Sequence, residues 1–238
     1  SSDVCSSDLE SAKKTLSGFS FKQEYMASFD TAGSDVFKEE WIKYGDEPQE
    51  GSYYIACDLA GFEEVARQAS NSRKRLDESA IAVVKVTDDG KWWVKKIEHG
   101  RWDIKETASK ILTAIRDFRP ISVGIERGAL KNAVLPYLSD LMRNSNVYSH
   151  IVDLTHGNRK KTDRIMWALQ GRFENGQITL GKGEWNSRFL DQLFQFPDPL
   201  THDDLVDALA YIDQLAKIAY TYDFEIDDHE VLDTVTGY

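Results

Sequence analysis

Three short stretches of this chain deliver carboxylates to places where carboxylates are costly. Asp58 ends the apolar run YYIACD, Glu126 ends the apolar run ISVGIE, and HDDLVDALAY sets Asp203, Asp204 and Asp207 at the head of an apolar helix pattern. An ionised group leaving a buried strand must be paired, hydrogen-bonded or bound to a metal. Each acid also has a plain alternative. Asp58 suits a turn or cap at its strand's exit, Glu126 suits pairing with Arg127 or water, and acids in a first helical turn complement the macrodipole. Capping accounts for one or two of the helix acids. It accounts less well for Asp207, which sits deeper, amid Val206, Ala208 and Leu209. Asp204 and Asp207 are three apart and Asp203 and Asp207 four apart, so all project toward one side of a helix. If the two strands are neighbours and the helix packs across them, the carboxylates meet at one point. Clustered carboxylates repel unless cations neutralise them. Oxygen-only donors suit Mg²⁺ or Mn²⁺ rather than Zn²⁺. Two such ions about 4 Å apart stabilise both the attacking and the leaving oxygen of a phosphodiester displacement. His202, beside the acids, orients a carboxylate or an attacking water, or else serves as an N-cap.

The elements that must position these residues follow from hydrophobic periodicity. YYIACDLA (53–60) reads as a buried strand. SAIAVVKV (79–86) and KWWVKKIE (91–98) flank Asp88-Asp89-Gly90, a sequence suited to a tight hairpin turn. DIKETASKILTAIRDF (103–118) has helical spacing, ISVGIE (121–126) is a second buried strand, and a helix over 130–143 precedes a strand at YSHIVDL (148–154). A helix at 161–171, the short strand QITL (177–180) and a long amphipathic helix over 202–220 complete the pattern. The order is β-β-β-α-β-α-β-α, then a short strand and more helix. It predicts an α/β fold with a mixed central sheet and helices on both faces, as in the ribonuclease H-like fold. Trp92 and Trp93 adjoin on a strand, so one is expected to face the core and the other outward.

The net charge of −11 argues at first against a nucleic-acid partner. Its distribution changes that: residues 1–50 carry −6, residues 222–238 carry −6, and the stretch 51–221 carries +1. The chain divides accordingly into a leader or linker (1–50), a folded domain (51–221) and an acidic tail (222–238). The first nine residues, SSDVCSSDL, are patternless and resemble translated sequencing-adapter read-through, and GDEPQEG (45–51) has linker composition. The two cysteines, Cys5 and Cys57, lie in no metal-ligand spacing, and Cys57 reads as a buried thiol. No apolar run is long enough to span a bilayer, so a soluble intracellular protein is expected.

YYIACDLAG, ISVGIER and HDDLVDALAY, in this order and spacing, together with KKTDRIMWALQGRFENGQITL (160–180), resemble the nuclease domain of tailed-phage terminase large subunits. The final helix motif is also similar to Holliday-junction resolvases of the same superfamily. The resemblance implies that Asp58, Glu126 and Asp204 ligate Mg²⁺ or Mn²⁺, in a pair of ions. Asp207 is then a further ligand or a supporting acid, and His202 and Asp203 are additional or supporting groups. It implies a DNA endonuclease that cuts concatemeric viral DNA in the host cytoplasm. Its expected partners are double-stranded DNA, an ATPase motor domain or subunit, the small terminase subunit and the portal. One departure is large: no G-x-x-x-x-G-K-S/T phosphate loop occurs, so the chain reads as a nuclease half without its motor. Three basic groups are candidate DNA contacts, supplying affinity that weakens with salt. They are Arg67, Arg73, Lys74 and Arg75 between the first two strands, Arg127 and Lys131 after Glu126, and Arg159, Lys160, Lys161 and Arg164. Three other readings stay open: a junction resolvase, a ribonuclease H-like scaffold that binds DNA without cutting, and a structural domain whose acids are caps.

Overall fold

A computed structural model describes residues 36–60, 78–155, 157, 160–198 and 201–216. Six strands form one mixed sheet: β1 (Ser52–Asp58), β2 (Ser79–Val86), β3 (Trp92–Gly100), β4 (Ser122–Glu126), β5 (His150–Leu154) and β6 (Ile178–Leu180), in the order β5-β4-β1-β2-β3-β6. β1, β2 and β3 run as an antiparallel meander, while β4 and β5 add in parallel on one side and β6 in parallel to β3 on the other. The β2–β3 turn forms as its sequence demands. Gly90 takes the positive φ of 79° that a side chain would resist, and its N–H donates to Thr87 O at 2.8 Å.

Five helices cover the two faces: α1 (Ile104–Phe118), α2 (Ala129–Ser145), α3 (Lys161–Glu174), α4 (Trp185–Gln195) and α5 (Asp204–Ala210). α1 starts where Asp103 accepts the Glu106 N–H at 2.8 Å, an N-cap bond. Side chains alternate along each strand, so one sheet supplies two cores. Ile55, Cys57, Ile81, Val83, Val123 and Ile125 pack under α1 and α2. Tyr54, Ala56, Ala80, Ala82, Val84 and Leu154 pack under α3, α4 and α5. Completely buried aliphatics such as Ile55, Ile81 and Leu138 contribute about 1.5–3 kcal/mol each. This is the ribonuclease H-like α/β architecture expected from the sequence. Among the described residues, no helix is long and apolar enough to cross a membrane.

The structure departs from the sequence reading in three places. Residues 36–50 are not a free linker. Val36 and Phe37 are buried in the α3–α5 core, with Phe37 edge-on to Phe173 at 5.8 Å. The chain then wraps the β6 edge, where Tyr44 bridges Leu180, and crosses to the other face. There Gly45 O accepts the Trp93 indole N–H at 2.9 Å, and the buried Lys85 ammonium donates to Pro48 O at 2.6 Å and Glu47 at 3.3 Å. The polar composition that suggested a linker instead supplies acceptors for a buried cation. One of Trp92 and Trp93 is expected to face outward, yet both are buried, Trp93 on the side that this strap covers. Second, α4 is a distinct helix between β6 and α5. Third, α5 turns at Tyr211 and the chain is helical again over 212–216. The acidic tail and the basic cluster Arg67, Arg73, Lys74 and Arg75 lie outside the described residues, as does Arg159.

Candidate metal centre

β1 and β4 are parallel neighbours with Cys57 opposite Ile125, so the next residues, Asp58 and Glu126, leave the sheet side by side. Cys57 and Ile125 belong to the α1–α2 core, so Asp58 and Glu126 point the other way, toward α5. Two residues before Glu126, Gly124 makes room for the Leu154 side chain, which a Cβ there would meet at 2.6 Å. The two carboxyl groups face each other closely enough to interact. Burial pushes the Asp58 carboxyl well above the usual carboxylate range. The charge of Asp207 and the contact with Glu126 push in the same direction, and Lys161 opposes them.

α5 brings the remaining acids over the same sheet end. Asp204 is buried, and its Oδ2 accepts the Glu78 N–H at 3.0 Å and faces His202 Nδ1 at 3.6 Å. Asp203 holds the N-cap position but makes no side-chain cap bond; its Oδ1 instead accepts from Lys161 Nζ at 2.8 Å. The free N–H of Leu205 in the first turn goes to Gln192 Oε1 of α4 at 2.8 Å. Capping therefore does not explain these acids, because a neighbouring helix does part of that work. Asp207 is buried, with Lys161 Nζ at 3.0 Å from one oxygen and Arg164 Nη2 at 2.5 Å from the other. The Arg164 guanidinium lies 4.0 Å from the Tyr211 ring centre, and its Nε and Nη1 are buried without a hydrogen-bond partner. Burial disfavours the Lys161 charge, but Asp207, Asp203 and Asp58 outweigh it and raise its pKa.

The basic residues expected on a DNA-facing surface divide. Arg164 is buried against Asp207, and Lys161 turns into the acidic cluster. Lys131 is buried and bonded to Asp153, which also takes Arg127 at 3.4 Å. Lys160 stays exposed at the start of α3, and most of the Arg127 side chain is exposed. The basic run around 160 reads as a solvated patch, but α3 is packed from both sides, so its third and fourth basic residues turn inward. Sequence reasoning passed over Glu78, Gln192 and Tyr211. Tyr211 was findable, lying four residues after Asp207 on the same helical face.

The donor set fits a hard divalent cation. The nearby side chains are carboxylates, Asp58 and Glu126 interact directly, and the Lys161 ammonium offsets part of the charge at Asp58. Asp204 and Asp207 stand nearby but hold other partners. Among the described residues, no three His, Cys, Asp or Glu side chains converge closely enough to enclose an ion.

The family profile of the Terminase RNaseH-like domain matches residues 68–213, more than half of the chain. The chain belongs to this family. Glu126, Asp204 and Asp207 lie within the match, and Asp58 just ahead of it. Solved structures agree on the fold of this terminase domain. The large terminase from a thermophilic bacteriophage superposes with a TM-score of 0.59 at 11% identity, over 88% of this chain and 51% of that one. This terminase domain thus spans about half the length of that protein. The large terminase subunit from bacteriophage sf6, solved with calcium, gives 0.54 at 12% identity, covering 74% and 97%. The large terminase nuclease from thermophilic phage G20c with bound magnesium gives 0.50 at 14% identity, covering 76% and 96%. No curated protein matches the chain in sequence.

Proposed function

We propose that this terminase RNaseH-like domain is a divalent-metal-dependent DNA endonuclease, cutting concatemeric phage DNA in the host cytoplasm. The observation that carries the reading is the contact of Asp58 with Glu126 at adjacent parallel strand ends, beneath a helix that brings two more buried aspartates. Asp58, Glu126 and Asp204 would hold Mg²⁺ or Mn²⁺, and Asp207 is the further oxygen donor for a second ion. When bound, the metal supplies Lewis acidity toward the phosphodiester and lowers the pKa of water. The chain's own residues do the rest. Lys161 and Arg164 fix the Asp207 carboxylate in its buried position from both of its oxygens. His202 stands beside Asp204, placed to orient that carboxylate. Lys160 and Arg127 are the described candidates for phosphate contact. The ATPase motor, small subunit and portal belong to the proposal as partners of a complete terminase.

The test is supercoiled plasmid with Mn²⁺, Mg²⁺ or EDTA, beside Asp58→Asn and Glu126→Gln. Metal-dependent nicking is expected, with a loss of at least about 100-fold in either variant, since losing a ligand or its orientation costs on the order of 10–100-fold or more. Nicking that survives both substitutions would remove these carboxylates from the chemistry.

A further inference from the structure

We propose that His99 is a positioning residue that holds the Asp204 carboxylate in place through Glu78; the proposal rests on the metal-centre reading above. Asp58 pairs with Ala80 across β1–β2, and Ala80 pairs with His99 across β2–β3. Cross-strand partners share a face, so His99 stands on the same face and at the same sheet end as the acids, two strands from Asp58. Its Nδ1 is 3.0 Å from Glu78 Oε2. Arg188, on α4, approaches that same oxygen from the helix side at 3.8 Å. The main-chain N–H of Glu78 donates to Asp204 Oδ2 at 3.0 Å, across 126 residues of sequence.

The logic is one of orientation. An amide donating to a carboxylate is a charge-assisted bond, which is strong only while the amide stays aimed. Glu78 is the last residue before β2 begins, so the sheet ladder fixes it on one side only. Its side chain is the second restraint, drawn toward β3 by His99 and toward α4 by Arg188. The next residue reinforces the anchorage, since Ser79 Oγ accepts the Ala60 N–H at 3.0 Å just past Asp58. Partners that orient a metal ligand from outside typically change metal affinity by 10–100-fold when removed. His99 touches neither substrate nor the acids; its effect runs through the Glu78 peptide.

The experiment measures Mn²⁺ affinity by calorimetry on the full chain, together with plasmid nicking against Mn²⁺ concentration, for wild type, His99→Ala, Glu78→Ala, the double variant and His99→Asn. Each alanine variant is expected to weaken Mn²⁺ binding on the order of ten-fold. The rate at saturating Mn²⁺ should change far less. The double variant should be no weaker than either single one, because both act on one link. His99→Asn, whose amide nitrogen replaces Nδ1, should restore binding; unfolding in EDTA compares the folds of the variants. Wild-type affinity in both alanine variants overturns the proposal, as does additive weakening in the double variant or an asparagine no better than alanine. Absence of any Mn²⁺ binding by wild type overturns the metal-centre reading itself, a different and recognisable result.

Discussion

Asp58 occupies a position where burial and neighbouring acids disfavour its charged form. Burial, the Asp207 charge and the shared contact with Glu126 all raise its pKa above the ordinary 3.8. The sign for stability follows directly. Below 3.8 the group is protonated in both folded and unfolded chains, so it has no effect. As the pH rises above that value the unfolded chain releases the proton first, and the folded state becomes progressively less favoured until its own pKa is passed. Each unit of displacement is about 1.4 kcal/mol. Asp58→Asn removes this penalty. In EDTA the variant is expected to unfold at higher urea than wild type at pH 8, with the difference closing toward pH 4. Mn²⁺ should reverse the order at pH 8, because it binds the wild-type carboxylates and stabilises only the fold that holds them. Urea midpoints that stay parallel across pH would show that the carboxylate is not strained without metal. The same residue shows why one sequence gives the acids but not their partners. The apolar run before Asp58 makes its unusual placement visible, whereas nothing local indicates that Lys161, more than a hundred residues on, will sit among the acids.

At the scale of elements, the strands and the first helices were legible because they bury one face at a fixed period. SAIAVVKV is β2 to the residue, and the predicted helix at 103–118 differs from α1 only in that Asp103 is its cap. The misreadings fall where a segment's neighbours, not its own pattern, decide its burial. α3 packs against α5, so Arg164 in a basic run turns inward to Asp207. The strap at 36–50 is polar in sequence yet carries Val36 and Phe37 into the core. Its contribution is measurable. Phe37 contacts Phe173 at 5.8 Å and Phe196 at 6.1 Å, and it is almost completely buried. Phe37→Ala leaves a cavity that a strap pinned at Gly45, Pro48 and Tyr44 cannot readily close. A loss of about 3–5 kcal/mol is expected, read from urea unfolding. A cost near zero would mean that these residues sit on a domain already complete without them, as a linker would.

For the molecule as a whole, the question is what DNA the acidic centre meets. The acids alone do not decide between the packaging nuclease and the junction-resolvase alternative; the surface around them does. Branched DNA needs a protein to hold several duplex arms, and that calls for a broad positive surface. Among the described residues, Lys161 and Arg164 are committed inward to Asp207 and Lys131 to Asp153, which leaves Arg127 and Lys160 exposed. The chain carries a net charge of −11, with the acidity concentrated at its two ends. On the proposed function, linear duplex would be held weakly here and delivered to the centre by another part of an assembly; this chain spans about half the length of the thermophilic phage terminase it resembles in fold. The expected outcome is that isolated protein with Mn²⁺ cuts linear duplex and a four-way junction at comparable rates per strand. Cutting should fade steeply as salt rises, because phosphate contacts supply most of the affinity. A preference for the junction of ten-fold or more, held at physiological salt, would instead show that the chain reads branch structure. The terminase assignment would then describe its ancestry and not its substrate.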